Sequence, residues 1–465
     1  MDGWANFEMC NTDVPHGRSR RNVVLITERL LEKPGSSFSV AVGHAGRQAA
    51  TRLFGNPETT VSGLLRGHFQ RARMRAEAYP LVLVAQDTTT VDYSSHGATS
   101  GLGPVGSSKN ASGLLAHSAH ALSPTGLPLG VVHLEIWARK PEEKGSAKDR
   151  RKKPIEEKES FKWIKGLRGI EKSLAHHLSA GRRILIIQDR EADIYGFMIE
   201  PRHEGTDLLI RAAHPRRVEV AAQDEKANLV EQDEKTYLME SVSKAPVIGY
   251  LVVKVPRKGK IAERLATLEL RVQVVRILPP LHGEHTQSQS PTITVVQASE
   301  KPQNEEEDCI SWTLLTTLPV NDAATASKIV EYYTRRWGIE RLHYTLKSGL
   351  QIERLQFDDA HSLSNALAIY WIVAWRIMYI THVAREDPTS PAGGMLEQDE
   401  LTVLALKEGK SVKTAQEAIV AIAKLAGYRP TPKGGPPGVK SLWIGIQRLE
   451  AMVEGWRLAS QSIKA

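Results

Sequence analysis

Two segments of the chain place an aspartate directly after a glutamine at the end of an aliphatic run. Asp87 follows "LVLVAQ" and Asp189 follows "ILIIQ". Ligands of open α/β sheets gather at the carboxyl ends of the strands. Two aspartates on neighbouring strands there offer hard oxygen donors suited to Mg2+ or Mn2+. Each one equally suits the cap of a following turn or helix, where Asp is favoured. A third acid lies in "EYYTRRWGIERLHYTLKSG" (331–349). On a single helix, Tyr333, Arg336, Glu340 and Lys347 stand at i, i+3, i+7 and i+14 and share one face. A carboxylate among a phenol, a guanidinium and an ammonium is either an ion-paired surface or a metal ligand flanked by groups that grip a phosphate backbone.

Three kinds of element must carry these residues. Residues 18–78 read as helical, with basic and aliphatic faces, up to Pro80. Strands are expected at 81–90, 113–122, 127–139, 182–189 and 207–214. The turn "SPTG" splits the second from the third, and a Gly/Ser-rich loop occupies 94–108. The mixed-charge run 140–162 reads as a solvated loop, followed by a helix at 163–178. From about 215 to 315 the texture is β-branched and alternating, and helix resumes from 323 to about 385. QDEK occurs at 223–226 and again at 232–235, too short a duplication to be an architectural repeat. A Pro/Gly-rich linker (429–438) precedes a final helix. The order predicts an α/β core interrupted by a β module, which returns residues distant in sequence to one layer.

At 465 residues the chain exceeds one compact core. Hydrophobic content of 41% with 25% charged residues excludes a disordered chain. Net charge is +8, and residues 1–75 hold 11 Lys/Arg against 6 Asp/Glu, which favours a polyanionic partner. Cys10 and Cys309 have neither a CxxC partner nor His at zinc spacing, so a disulfide framework or structural zinc is not expected. The acidic start "MDGWANFEMC" lacks a signal-peptide core. The apolar stretch 365–385 carries Arg376 at its middle, which predicts a buried core helix and no membrane partner. No phosphate loop of the GxxxxGK[ST] type occurs, and "GLGPVG" (101–106) reads as a flexible loop.

Tyr333, Arg336, Glu340 and Lys347 match without a gap the Tyr-(2)-Arg-(3)-Glu-(6)-Lys signature of DDE transposases of the insertion-sequence-four group, the group of the transposon-five transposase. Asp189–Ile194 reads Asp-Arg-Glu-Ala-Asp-Ile as in that family, Asp87 precedes Thr88 and Thr89, and "HPRR" (214–217) also resembles the family's pattern. The resemblance runs from about residue 18 to the tail and is weakest at 140–160 and in the last 75 residues.

It implies an α/β fold: a ribonuclease-H-like mixed-sheet catalytic core (79–214 and 321–390) with a β-rich insertion (215–320). Helical regions flank it, a separable DNA-end-binding region (1–78) and a dimerisation region (391–465), in which Leu442, Trp443 and Ile446 are expected to pair two subunits. It implies Asp87, Asp189 and Glu340 as ligands of two Mg2+ or Mn2+ ions, with Asp87 as the bridge. Tyr333, Arg336 and Lys347 are then DNA contacts. Trp312 stands where the family stacks a flipped base, or is a core residue of a strand. Trp337 is a second wedge or a packing residue, and Arg211, His214 and Arg216 are DNA contacts or solvated charges. Asp193 orients Asp189 by pairing with Arg190 or the helix start, or is a plain cap. The partners implied are terminal inverted repeats, target DNA and a second subunit, and the setting is a bacterial cytoplasm at the nucleoid. The reaction implied is cut-and-paste transposition through a DNA hairpin. A nuclease without strand transfer, or an inactive DNA-binding relative, is the alternative.

Overall fold

The structure is a computed structural model that describes residues 4–106, 108, 110–140, 153–222, 230–255, 264–282, 285–301, 309–431 and 436–464. In chain order, helices α1 (Trp4–Met9), α2 (Gly17–Glu32), α3 (Phe38–Phe54) and α4 (Val61–Ala76) precede strands β1 (Leu81–Asp92), β2 (Gly103–Pro104), β3 (Ser112–Leu122) and β4 (Pro128–Trp137). Helices α5 (Phe161–Ser173) and α6 (Ala175–Ser179), strand β5 (Arg183–Gln188), helix α7 (Tyr195–Met198) and strand β6 (Thr206–Arg211) follow. Then come β7 (Arg217–Ala222), β8 (Val230–Tyr237), α8 (Leu238–Lys244), β9 (Val247–Val255), β10 (Arg264–Ile277), β11 (Thr292–Glu300) and β12 (Ser311–Thr316). The chain ends with α9 (Ala323–Thr334), α10 (Trp337–Tyr344), α11 (Ala360–Glu386), α12 (Gln398–Glu408), α13 (Ala415–Leu425) and α14 (Val439–Lys464). Most of the charged run (141–152), the first QDEK copy and residues 432–435 of the linker lie outside the described residues.

The chain divides into two compact units. The first holds residues 1–79, 88–144 and 338–465, and the second holds 80–87 and 145–337. Strand β1 belongs to both, its first seven residues to the second unit and its last five to the first.

In the first unit β3 and β4 form an antiparallel pair, registered from Leu115↔Trp137 to Leu122↔Pro128. Helices α4 and α11 pack on β4. The 27-residue α11 has the length and hydropathy of a membrane span. Here its apolar residues, Leu363 to Trp375 among them, lie in the unit's hydrophobic core, and the Trp375 indole donates to the Pro128 carbonyl at 3.0 Å. Arg376 is accommodated by donating to the Met395 carbonyl (2.7 Å) and lying over the rings of Trp4 and Tyr379. Asp359 caps the start of α11, accepting from the Ser362 N–H at 2.8 Å.

The N-terminal helices belong to this same core. Val23, Leu30, Phe54, Leu64 and Leu65 are buried in it, and Glu8 is buried between His68 (2.7 Å) and Arg75 (2.6 Å). Burial pushes the Glu8 carboxyl up, but the His68 and Arg75 hydrogen bonds and charges outweigh it and hold it down at about 2. A separable N-terminal region is therefore not what the chain builds. The tail is anchored as firmly: Leu442, Trp443 and Ile446, expected to face a second subunit, are buried in their own chain's core. A methyl group at Gly445 would collide with the Ile422 carbonyl, so glycine there lets α14 close onto α13.

In the second unit the strand order is β1-β5-β6-β12-β11-β10-β7-β8, with β9 beside β10. β1, β5 and β6 are parallel, and every pairing from β6 to β12 onward is antiparallel. The β-rich stretch is thus no separate module. β12 pairs with β6 (Leu314↔Arg211), so the insertion extends the sheet that carries the aspartates.

Candidate active site

Register, more than burial, brings the first two acids together. β1 and β5 pair in parallel from Leu81↔Arg183 to Ala85↔Ile187. Continued two residues past the last paired rung, Ala85↔Ile187, the same offset aligns Asp87 with Asp189. Partners in a parallel ladder point to one face, and adjacent strands run about 4.8 Å apart. Asp87 is not at a strand end as expected, because β1 continues to Asp92. Asp189 is: it is extended (φ −84°, ψ −168°), and its carboxylate accepts the Glu191 N–H at 2.9 Å, capping the 3-10 turn Arg190–Ala192. Capping and ligation are compatible, since a carboxylate carries several acceptor sites and the cap uses one oxygen.

The signature helix is broken. α9 ends at Thr334, with the Arg335 N–H bonded to the Tyr332 and Tyr333 carbonyls. α10 starts at Trp337, and residues Thr345–Gly349 form a π-helical turn. Tyr333, Arg336, Glu340 and Lys347 therefore do not form a stripe on one helix. The break falls at Arg335–Arg336, and Gly338, a poor helix former, is the second residue of α10. A Cβ there would lie 3.2 Å from Leu122, so the bare backbone permits a close approach.

Within the second unit Arg336 lies beside the first acid, its Nη1 3.9 Å from Asp87 Oδ2 with both side chains largely buried. Its guanidinium also stands 6.0 Å from the ring centres of Tyr333 and Trp337. Tyr333 is buried and packs edge-on against Trp312 at 5.8 Å. Burial raises the Tyr333 hydroxyl, while Arg336 and Arg211 pull it back. Trp312, on β12, is half-buried and Trp337 is exposed. Arg211 is half-buried near the Ser311 carbonyl (3.4 Å), and His214 is exposed. In the first unit, Glu340 is half-buried on α10, and Lys347 lies 3.7 Å from Glu353.

Asp193 pairs with neither of its expected partners. Its fully buried carboxylate accepts the N–H groups of Ala213 (2.7 Å) and His214 (2.9 Å) and ion-pairs with Arg216 at 2.6 Å. Arg190 is instead exposed. Arg216 also donates to the Asp193 carbonyl, so its guanidinium serves the turn after β6 and is not held out toward a ligand. The physical reason is chain proximity across the sheet: β6 lies beside β5, and a buried carboxylate needs charge and donors. The glutamine before each acid was given no role from the sequence, yet Gln86 and Gln188 are fully buried and joined side chain to side chain at 2.7 Å. The signal was there, a glutamine before each acid.

Carboxylate oxygens on adjacent strands have the donor chemistry of a hard divalent cation. Among the described residues, no three His, Cys, Asp or Glu side chains stand close enough to hold an ion as placed. The donor set in view is therefore the aspartate pair.

A family model described as a transposase DDE domain matches residues 129–375, more than half the chain. The chain belongs to the DDE transposase family. A second model, a Tn5 transposase dimerisation domain, matches residues 372–464. This transposase is accordingly an enzyme that cleaves and transfers DNA strands, on a ribonuclease-H-like mixed sheet with helical regions at both termini, and its family uses divalent metal ions. The DDE match takes in Asp189 and Glu340 and begins after Asp87. A solved cryo-EM structure of a piggyBac transposase synaptic complex with hairpin DNA is similar at a TM-score of 0.36 and 10% identity, over 92% of this chain and 79% of that one. That likeness is too slight to bear on residues or steps.

Proposed function

We propose that this transposase performs cut-and-paste transposition of a bacterial insertion sequence, with Asp87, Asp189 and Glu340 holding two Mg2+ or Mn2+ ions. The observation that carries the reading is the β1–β5 register, whose continuation past Ala85↔Ile187 aligns Asp87 with Asp189, with Arg336 beside the first. Bound divalent ions supply charge to the attacking and leaving oxygens of an in-line displacement at phosphorus. The chain's own groups do the rest. Arg336 offers its guanidinium to a phosphate oxygen, and Tyr333 supports it from its buried position. Lys347 and Arg211 neutralise neighbouring phosphates, and exposed His214 reaches the same backbone. Trp312 stacks a base turned out of the duplex at the cut end, worth about 1–3 kcal/mol, and exposed Trp337 wedges the gap.

Water attacks first and frees a 3′-OH. That hydroxyl attacks the opposite strand to close a hairpin, water reopens it, and the same 3′-OH then joins target DNA. No protein nucleophile is required. The basic N-terminal helices bind the terminal inverted repeats, the matched tail region pairs two subunits on two ends, and the setting is the nucleoid of a bacterial cytoplasm without a membrane partner.

The test is strand transfer: DNA carrying the ends of the chain's own element is incubated with a target plasmid and Mg2+. Joined products are expected. Cut ends without joining would mean a nuclease, and shifted but uncut DNA a binding protein.

A further inference from the structure

We propose that Gln86 and Gln188 are positioning residues for the metal pair, an inference that rests on Asp87 and Asp189 being ligands. Each glutamine directly precedes one of the acids, so it points to the opposite face of the sheet. Both are fully buried, and Gln188 Nε2 donates to Gln86 Oε1 at 2.7 Å, which forms the rung adjoining the aspartates.

Below that rung, from Val82↔Ile184 to Ala85↔Ile187, every pair is aliphatic on aliphatic. Apolar pairing alone does not exclude a slide of two residues, which keeps every side chain on its own face and apolar against apolar. The same slide would set Asp87 opposite Ile187 and Gln86 opposite Ile186, leaving two buried amides without each other. The glutamine rung thus penalises the displacements that would separate the acids. Its geometry is not what stability alone selects. Gln86 Nε2 and Gln188 Oε1 remain buried without a partner, and a half-satisfied polar pair is less stable than well-packed apolar side chains. A device that costs stability and fixes position at the reacting site is a positioning device.

The test uses the full chain and its variants Gln86→Met, Gln188→Met and the double variant, since methionine matches glutamine in volume. Three quantities are measured: thermal midpoint, Mn2+ binding from the resonance spectrum of the free ion, and the kcat and KM of DNA cleavage. The Mn2+ sites that count are those lost in Asp87→Ala and Asp189→Ala. Each single variant strands one buried amide and is expected to melt earlier than the double, whose midpoint should equal or exceed that of the unaltered chain. In the recovered double, Mn2+ binding at those sites should stay about tenfold weaker. Its kcat should fall roughly 10- to 100-fold with KM for DNA unchanged, as a small misplacement of reacting groups requires. If Mn2+ affinity and kcat return with the midpoint in the double variant, the glutamines only support the fold and the proposal is overturned. If instead Asp87→Ala and Asp189→Ala bind Mn2+ and cleave normally, the ligand assignment itself is wrong and this inference falls with it.

Discussion

The Asp193 carboxylate receives two backbone N–H groups and the Arg216 guanidinium, all from the turn that follows β6. That turn carries His214 and follows Arg211, the last residue of β6, beside β5, which leads into Asp189. Replacing Asp193 with alanine leaves Arg216, itself only 13% exposed, as an uncompensated buried charge. Such losses run to about 3–5 kcal/mol. Urea denaturation of Asp193→Ala should show a loss of that order, and Asp193→Asn a smaller one because it retains an acceptor. Arg216→Ala should likewise cost stability while leaving the salt dependence of DNA binding unchanged. Arg211→Ala should lower that salt slope by about one. A change of slope in Arg216→Ala would return that residue to the DNA contacts.

At the scale of elements, the tail helix α14 brings an acid into the first unit's interior. Glu450 lines a cavity of ≈ 860 Å3 with Glu28, Glu32, Glu397, Asp399, Glu400, Arg21, Arg376 and Arg457. Burial, then the neighbouring Glu400, push its carboxyl up to about 9. A folded-state value above the unfolded one means that the native chain holds a proton the unfolded chain releases. The stabilising contribution is therefore complete below about 4.5 and is lost as pH rises toward 9. Glu450→Gln should raise the thermal midpoint at pH 8 and change it little at pH 4. An equal shift at both values would mean that the group does not titrate in that window. The tail region matches a dimerisation domain as expected, but the same helix shows why sequence misjudged which of its residues face outward. A run with Leu442, Trp443 and Ile446 looks identical whether it faces a partner or its own core, and only tertiary packing decides.

At the scale of the whole molecule, the basic N-terminal section is not a detachable arm, because α2, α3 and α4 contribute to the first unit's core. Deleting it would unfold that unit and say nothing about DNA. Charge reversal at exposed Arg47 and Arg52 is the informative change. It should leave the midpoint in place and weaken binding to the element's ends, with a shallower salt dependence. Unaltered binding would place the end-recognition surface elsewhere.

The strands carrying Asp87 and Asp189 were legible because an aliphatic run ending in a polar pair has few other readings. The broken signature helix was not, since Tyr333, Arg336, Glu340 and Lys347 keep helical spacing across the break. Nor was the continuity of β6 with β12, a pairing between residues about a hundred apart that no local pattern encodes. The Arg216–Asp193 pair was hidden for the same reason.

The most direct measurement is cleavage of DNA carrying the element's own ends, in Mg2+, by Asp87→Ala, Asp189→Ala and Glu340→Ala beside the unaltered chain. Each variant should shift the DNA as the unaltered chain does while its cleavage rate falls at least about a hundredfold, the scale expected when a group placed at the reacting centre is lost. Undiminished cleavage by any one of them would contradict its place in the metal site.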